Sequence, residues 1–328
     1  MNAKIASVGS YVPARRMHNN ELATFVDTSD EWIYSHTGIR YRHLAAEDEA
    51  ASDLALPAAR LAMERAGVGP EEIDLVLVAT STPDYVGLPS TACVVQDKLG
   101  IPTAGAMDVV AVCTGFIYGL ETARAFVVAG AARNVLLVGT EVYSKIINWE
   151  DRRTCVLFGD GAGAVVVQPA EDGEVSRILP AVLGSRGSGA ESLYRSHGGT
   201  RNRYLPGTTP EADLKLKMDG RAVYNFAVSA LGDTLKELLS QNKTDFSAVS
   251  WVVPHQANER IINAAARRAG FDRDRFYVNI AEYANTSAAS IPIALNEMYE
   301  AGRLERGDLL ATVGFGSGLT YGGNLLYW

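Results

Sequence analysis

Asp108-Val-Val-Ala-Val-Cys113-Thr114-Gly-Phe-Ile-Tyr-Gly-Leu-Glu-Thr-Ala-Arg124 passes from a β-branched run, through a sharp turn, into a helical stretch that is apolar almost all round. Such a helix is a buried one. A thiol stands at the turn, at the helix N-terminus, where unpaired backbone N–H groups and the helix dipole favour the thiolate. The expectation is a pKa moved from its usual ~8.5 toward neutrality and a nucleophilic sulfur. Against this stands the ordinary behaviour of free cysteine, which is mostly buried and inert.

Working outward, Ser250-Trp-Val-Val-Pro254 reads as a short strand, and His255-Gln-Ala-Asn258 follows at its carboxyl end, where loops of α/β sheets carry function. Asn285 lies in Glu282-Tyr-Ala-Asn285-Thr-Ser-Ala-Ala-Ser-Ile-Pro292, a small polar loop opening a helix that runs to about Ala301, with Gly302 as its stop. An asparagine there is ordinarily a cap. Cys113, His255 and Asn285, all at strand-to-helix junctions, fit one shared pocket better than three separate structural roles.

With 328 residues and 47% hydrophobic content, the chain can bury a large core, in one big domain or two fused halves. Residues Met1 to Pro13 contain one lysine and no apolar core of signal-peptide length, and the apolar stretch Val109 to Leu120 is too short to span a bilayer. The expectation is a soluble, cytoplasmic protein. Cys93, Cys113 and Cys155 are too few and too scattered for a disulfide framework or a zinc site. Thirty basic against 38 acidic residues, net −8, argue against nucleic acid and anionic membranes as partners.

The chain also reads as duplicated. A helix-then-strand unit from Ser52 to Thr80 is echoed from Gly220 to His255. A glycine-rich turn feeding a β-rich segment occurs at Gly159-Asp-Gly-Ala-Gly163 and again at Gly314-Phe-Gly-Ser-Gly318. The junction falls near Gln168 to Gly173, dividing the chain into residues 1–170, which carry the cysteine, and 171–328, which carry the histidine and asparagine. Gly184 to Thr209 reads as a long loop. Gly159 to Gly163 is no dinucleotide site, because Ala164-Val-Val-Val167 continues it as a strand rather than a helix, so its glycines serve close backbone approach.

Thr28-Ser-Asp-Glu-Trp32-Ile, Thr37-Gly-Ile-Arg40, Asp108 to Phe116, Phe158-Gly-Asp-Gly-Ala-Gly163, His255-Gln-Ala-Asn258, Asn285 to Pro292 and Gly314 to Gly318 follow one another in an order that resembles β-ketoacyl-acyl carrier protein synthase III. This is the initiating condensing enzyme of the thiolase superfamily. The resemblance implies an α/β, thiolase-like duplicated fold, layered αβαβα, and a homodimer. It implies a ping-pong decarboxylative Claisen condensation that initiates fatty acid synthesis: Cys113 takes the acyl group of an acyl-CoA starter, and malonyl-acyl carrier protein then condenses with it. His255 and Asn285 would donate hydrogen bonds to the malonyl thioester carbonyl, and the backbone N–H groups of Cys113 and Ser317 would form an oxyanion hole. No metal is called for, because neutral donors meet the enolate charge, and acyl-CoA is a substrate rather than a cofactor.

By the same resemblance Trp32 and Arg152 sandwich the CoA adenine, His36 approaches the nucleotide phosphates and Asn258 completes the CoA site. Leu88 shapes the acyl pocket. Arg260, Arg267 and Arg268, on one face of a helix from Asn258 to Ala269, dock the acidic carrier protein. A structural reading of Trp32 also stands, as an anchor on a short helix capped by Thr28 and Glu31. Three positions depart from the family pattern: His36 for an arginine, Asn225 for a lysine and Leu88 for a phenylalanine. They leave open a specialised starter-loading enzyme of polyketide or secondary-metabolite synthesis, using malonyl-CoA in place of the carrier-bound group. A cysteine peptidase shares the Cys, His, Asn order, but the tryptophan-flanked nucleophile motif is absent. A non-catalytic partner subunit would have lost the nucleophile.

Overall fold

The computed structural model of the protein describes residues 2–328. Leu75-Val-Leu-Val-Ala79 and Val135-Leu-Leu-Val-Gly-Thr-Glu141 are buried along their whole length, as strands covered on both faces must be. The first sheet contains β1 (Asn2–Tyr11), β2 (Leu75–Ala79), β3 (Gly105–Val109), β4 (Val135–Glu141) and β5 (Gly161–Ala170), in the order β1-β5-β4-β2-β3. Strands β3, β2 and β4 run parallel, and β5 and β1 complete the sheet antiparallel. The second sheet follows the same plan: β8 (Trp251–Pro254) lies parallel to β9 (Leu309–Gly316), and β10 (Thr320–Tyr327) is antiparallel to β9. The short strands β6 (Arg177–Ile178) and β7 (Val182–Ser185) both pair with β10, as β1 pairs with β5. A parallel bridge from Val252 to Phe276 stands in the place of β3. The chain passes from one sheet to the other between Ala170 and Arg177.

Helices fill the layers between and outside the sheets. These are α1 (Asp30–Thr37), α2 (Ala51–Ala66), α3 (Gly115–Val128), α4 (Gly220–Gln241), α5 (Glu259–Ala269) and α6 (Ser290–Glu300). The all-round apolar α3 lies in the middle. Its Phe116, Ile117 and Leu120 share a core with Leu77 and Leu137 of the first sheet and Leu310 and Leu326 of the second, joined by Ile291 and Leu295 of α6. Each such buried side chain contributes about 1.5–3 kcal/mol. On the outer face of the first sheet, Leu54, Ala58 and Ala62 of α2 meet Val76, Val78 and Leu136. On the outer face of the second, Leu235 of α4 and Ile262 of α5 pack with Val252, Ala311 and Leu325. The order is helix, sheet, helix, sheet, helix.

The Gly159–Gly163 turn enters β5, and a Cβ on Gly163 would lie 2.7 Å from Pro292 Cβ, so glycine is what lets α6 approach the sheet. The segment from Gly184 to Thr209 is more ordered than a plain loop, because Leu193–Arg195 pairs antiparallel with Leu216–Met218 and both leucines are buried. Among the described residues no helix is long and apolar enough to cross a membrane.

Candidate active site

Cys113 sits in the single 3₁₀ turn Val112–Thr114 just ahead of α3. Val112 has φ +49°, a left-handed conformation that costs a β-branched residue on the order of 1–3 kcal/mol and that tight surroundings must enforce. Thr114 Oγ1 lies 2.8 Å from both Ala111 O and Thr320 Oγ1, tying the turn to β10. At the end of β9, a Cβ on Gly316 would lie 2.9 Å from Cys113 N, so glycine brings this strand against the nucleophile's backbone. Ser317 follows immediately, its hydroxyl donating to Leu193 O.

The thiol differs from the expectation of a near-neutral pKa. Burial pushes it up to about 12, the charge of Glu141 adds to the rise, and a hydrogen bond with Ser287 only partly opposes it. Loss of solvent outweighs the helix N-terminus, so Cys113 rests as a thiol.

His255 leaves the end of β8 with its N–H held by Val313 O at 2.8 Å. Its Nδ1 lies 2.8 Å from Ser290 Oγ, which also accepts the Gln256 N–H at 3.3 Å. With the serine hydroxyl donating to Nδ1, the imidazole proton sits on Nε2. Nε2 is buried without a partner among the described residues. Burial also drives the His255 pKa down to about 3, so the ring is a neutral donor.

Asn285 belongs to a loop clamped onto the first half of the chain: its N–H reaches Leu157 O at 2.9 Å and its carbonyl accepts the Gly159 N–H at 3.1 Å. Its Oδ1 accepts the Ser287 N–H at 2.9 Å, which leaves Nδ2 as the group free to donate. Cys113, His255 and Asn285 line one cavity of about 210 Å³, walled by apolar side chains that include Leu157, Phe158, Leu193, Ile261, Phe315 and Leu319. Wider depressions of about 590 to 600 Å³ elsewhere on the surface contain no cysteine or histidine. A sulfur facing two neutral N–H donors in an apolar cavity suits acyl transfer, with the donors stabilising a developing oxygen anion.

The remaining expected residues are dispersed. Trp32 is half-buried on α1, whose N-terminus is capped by Ser29 rather than Thr28. The Arg152 guanidinium lies 5.2 Å from the Trp32 ring centroid, and the His36 ring stacks on Trp32 at 4.5 Å. His36 Nδ1 is 2.7 Å from Trp32 O, which leaves Nε2 as its outward-facing nitrogen. Asn258 lines the cavity and caps α5, its Oδ1 accepting from Arg260 N–H and its Nδ2 donating to His36 O. Leu88 does not line the cavity of its own chain: it is 86% exposed, at the end of a loop that also exposes Tyr85 and Val86. Arg260, Arg267 and Arg268 are exposed on α5.

Several polar groups around the thiol escaped the sequence reading. Glu141, fully buried at the end of β4, receives hydrogen bonds from the Ser81 hydroxyl and N–H, from Thr82 Oγ1 at 2.7 Å and from Ser287 Oγ at 3.0 Å. Burial raises its pKa to about 7 in spite of these donors. The available signal was a carboxylate closing a strand that opens on the apolar run Val135-Leu-Leu-Val138, beside the hydroxyl run Thr80-Ser81-Thr82 that follows the neighbouring strand.

Residues 107–187 match the 3-oxoacyl-[acyl-carrier-protein (ACP)] synthase III family, and residues 239–328 match that family's C-terminal region. The β-ketoacyl-[acyl-carrier-protein] synthase III of Natranaerobius thermophilus is 44% identical over 328 residues, spanning 100% of this chain and 99% of the relative. The crystal structure of β-ketoacyl-[acyl carrier protein] synthase III from Thermus thermophilus matches with a TM-score of 0.91 at 45% identity, covering 99% of each chain. The priming β-ketosynthase of the R1128 polyketide biosynthetic pathway matches with a TM-score of 0.90 at 36% identity, covering 99% of this chain and 96% of that one. With likeness of sequence and of layered fold running from end to end, the chain belongs to the β-ketoacyl-[acyl-carrier-protein] synthase III family of condensing acyltransferases.

Proposed function

We propose that Cys113 takes the acyl group of an acyl-CoA, releases CoA, and then passes the acyl group to the carbon left when a malonyl group on acyl carrier protein loses CO2. The product is a β-ketoacyl thioester, the first condensation of fatty acid synthesis. The observation that carries this reading is the single apolar cavity holding Cys113, His255 and Asn285. His255 Nε2–H and Asn285 Nδ2–H donate to the malonyl thioester oxygen as it becomes an enolate. The Cys113 and Ser317 N–H groups face the oxyanion of each tetrahedral intermediate, a contribution of roughly 3 to 4 kcal/mol. CoA enters as a substrate, with its adenine between Trp32 and Arg152 once these part, its phosphates toward His36, and Asn258 at the mouth. No metal or further cofactor takes part.

Arg260, Arg267 and Arg268 offer an acidic carrier protein a basic surface beside the cavity. A second copy of the chain is the proposed partner that covers the exposed apolar residues Tyr85, Val86, Leu88 and Val110, which makes the enzyme a homodimer working in the cytoplasm. Starter loading for a polyketide pathway is the less favoured reading, since the R1128 priming enzyme is 36% identical against 44% for the Natranaerobius enzyme. Intact-mass spectrometry after incubation with a panel of acyl-CoAs tests the proposal. One acyl mass is expected on the parent protein and none on Cys113→Ala, and absence of trapped mass with every acyl-CoA would end the nucleophile assignment.

A further inference from the structure

Two side chains are to donate to the enolate, and each has a serine behind it. Ser290 Oγ fixes the His255 ring at Nδ1. For Asn285 the corresponding contact is the Ser287 N–H, accepted by Oδ1 at 2.9 Å, which turns the amide so that Nδ2 is left to donate. That N–H is held by a backbone at φ +48°, a left-handed conformation uncommon for serine and enforced from outside the turn. The Ser287 hydroxyl supplies the hold: it donates to Glu141 Oε1 at 3.0 Å and accepts from Tyr143 Oη at 3.4 Å. Both partners are themselves fixed. Glu141 also receives the Ser81 N–H and hydroxyl and Thr82 Oγ1, and Thr82 Oγ1 in turn accepts the Val142 N–H at 2.8 Å. Tyr143 stacks face to face on Phe158 at 4.6 Å, with its Oη 2.9 Å from Ser81 Oγ. Ser287, Glu141 and Tyr143 are all buried and none lines the cavity, so none of them reaches a substrate bound there.

We propose that Glu141 and Tyr143 are positioning residues for decarboxylation: by holding the Ser287 hydroxyl they set the Ser287 N–H, and that N–H sets the Asn285 amide against the enolate oxygen. The proposal rests on Asn285 being an enolate donor. A carboxylate suits position 141 because it accepts at both oxygens and competes for no acceptor. It is met by hydroxyls and an N–H, and no basic side chain pairs with it among the described residues, so the acid is kept at a cost to stability. Such a cost is characteristic of groups retained for function. Displacing a reacting group by about 1 Å can slow a reaction by about 10²-fold, so a loosened Ser287 should show in the rate. Acylation draws on the thiol and on backbone N–H groups, and does not pass through Asn285.

CO2 release from malonyl-acyl carrier protein and acyl-Cys113 formation, measured separately, provide the test. Ser287→Gly is the sharpest variant, because glycine accepts the positive φ without strain and keeps the N–H while deleting the hydroxyl. In Ser287→Gly and Glu141→Ala, kcat for CO2 release should fall by about 10–10²-fold while acylation stays within about twofold of the parent. Glu141→Gln, which keeps an oxygen for Ser287, should recover most of the lost rate, and Tyr143→Phe, which keeps the ring on Phe158, should show part of the loss. In an Asn285→Ala background, Ser287→Gly should add nothing, since residues acting through one another are not additive. Should Glu141→Ala fail to fold, Ser287→Gly carries the same test. CO2 release at the parent rate in Ser287→Gly overturns the proposal, as does acylation that falls by the same factor or an undiminished effect of Ser287→Gly once Asn285 is gone. Glu141→Gln as slow as Glu141→Ala overturns the part given to the carboxylate. Asn285→Ala that releases CO2 at the parent rate removes the enolate-donor assignment itself, a result distinct from these.

Discussion

An enolate oxygen is best met by donors that carry no charge of their own to be neutralised, and burial keeps His255 in that state. Its folded pKa of about 3 lies below the ordinary ~6.5, so the neutral ring persists as pH falls through the usual histidine range. CO2 release from a malonyl thioester, measured in Cys113→Ala to isolate that step, should therefore show no loss centred near ~6.5. His255→Ala and Asn285→Ala should still form acyl-Cys113 while decarboxylation falls by about 10²–10³-fold each, as loss of one such donor gives. Acylation reduced as much as CO2 release would show that the two half-reactions do not divide in this way. That Cys113, His255 and Asn285 meet in one cavity was legible in the sequence, because each is a polar break in an apolar setting. Glu141 and Ser287 were not, since an acid at a strand end ordinarily faces water, and only the packing of four separate segments buries this one. The thiol pKa was misread for the same reason: the helix end is local in sequence, but the desolvation is not.

Helix α5 shows what an element contributes beyond its ends. Ile261, Ile262, Ala265 and Ala266 are buried, while Arg260, Arg267 and Arg268 point to solvent, with Arg268 3.9 Å from Asp233. Reversing all three charges should raise KM for malonyl-acyl carrier protein by about tenfold, roughly 0.5 kcal/mol for each exposed charge, and leave KM for acyl-CoA largely unchanged. Raised salt should mimic the change in the parent. An unaltered KM at low salt would return the arginines to plain solvated surface. The helix was legible down to its cap, because Asn258 precedes an amphipathic run that ends before Gly270. Helix α3 was equally legible, its apolar girth announcing burial. The pairing of Leu193–Arg195 with Leu216–Met218 was not, since a strand of three residues carries too few alternations to stand out from a loop.

For the whole molecule, the buried Glu141 makes stability depend on pH. Its folded pKa of about 7 lies above the ordinary 4.5, so between those values the folded state holds a proton that the unfolded chain has released. The contribution is fully present below the unfolded value and lost as pH rises through the folded one. Glu141→Gln should accordingly be more stable than the parent near pH 8, by up to about 3 kcal/mol, and equal to it near pH 4. Denaturant unfolding across that range measures the difference, and parallel curves would refute it. At this scale the duplication was legible in the repeated glycine turns and helix-then-strand units. The strand order was legible only through resemblance, because pairing between distant segments leaves no local trace. That order also times the chemistry during synthesis. The thiol is translated less than halfway along the chain, whereas His255, Asn285 and Gly316 all come from its final quarter. A ribosome that has made the first sheet has made a cysteine whose surroundings are still missing. Only when the strands and loops of the second sheet pair and pack does the cavity around that sulfur close.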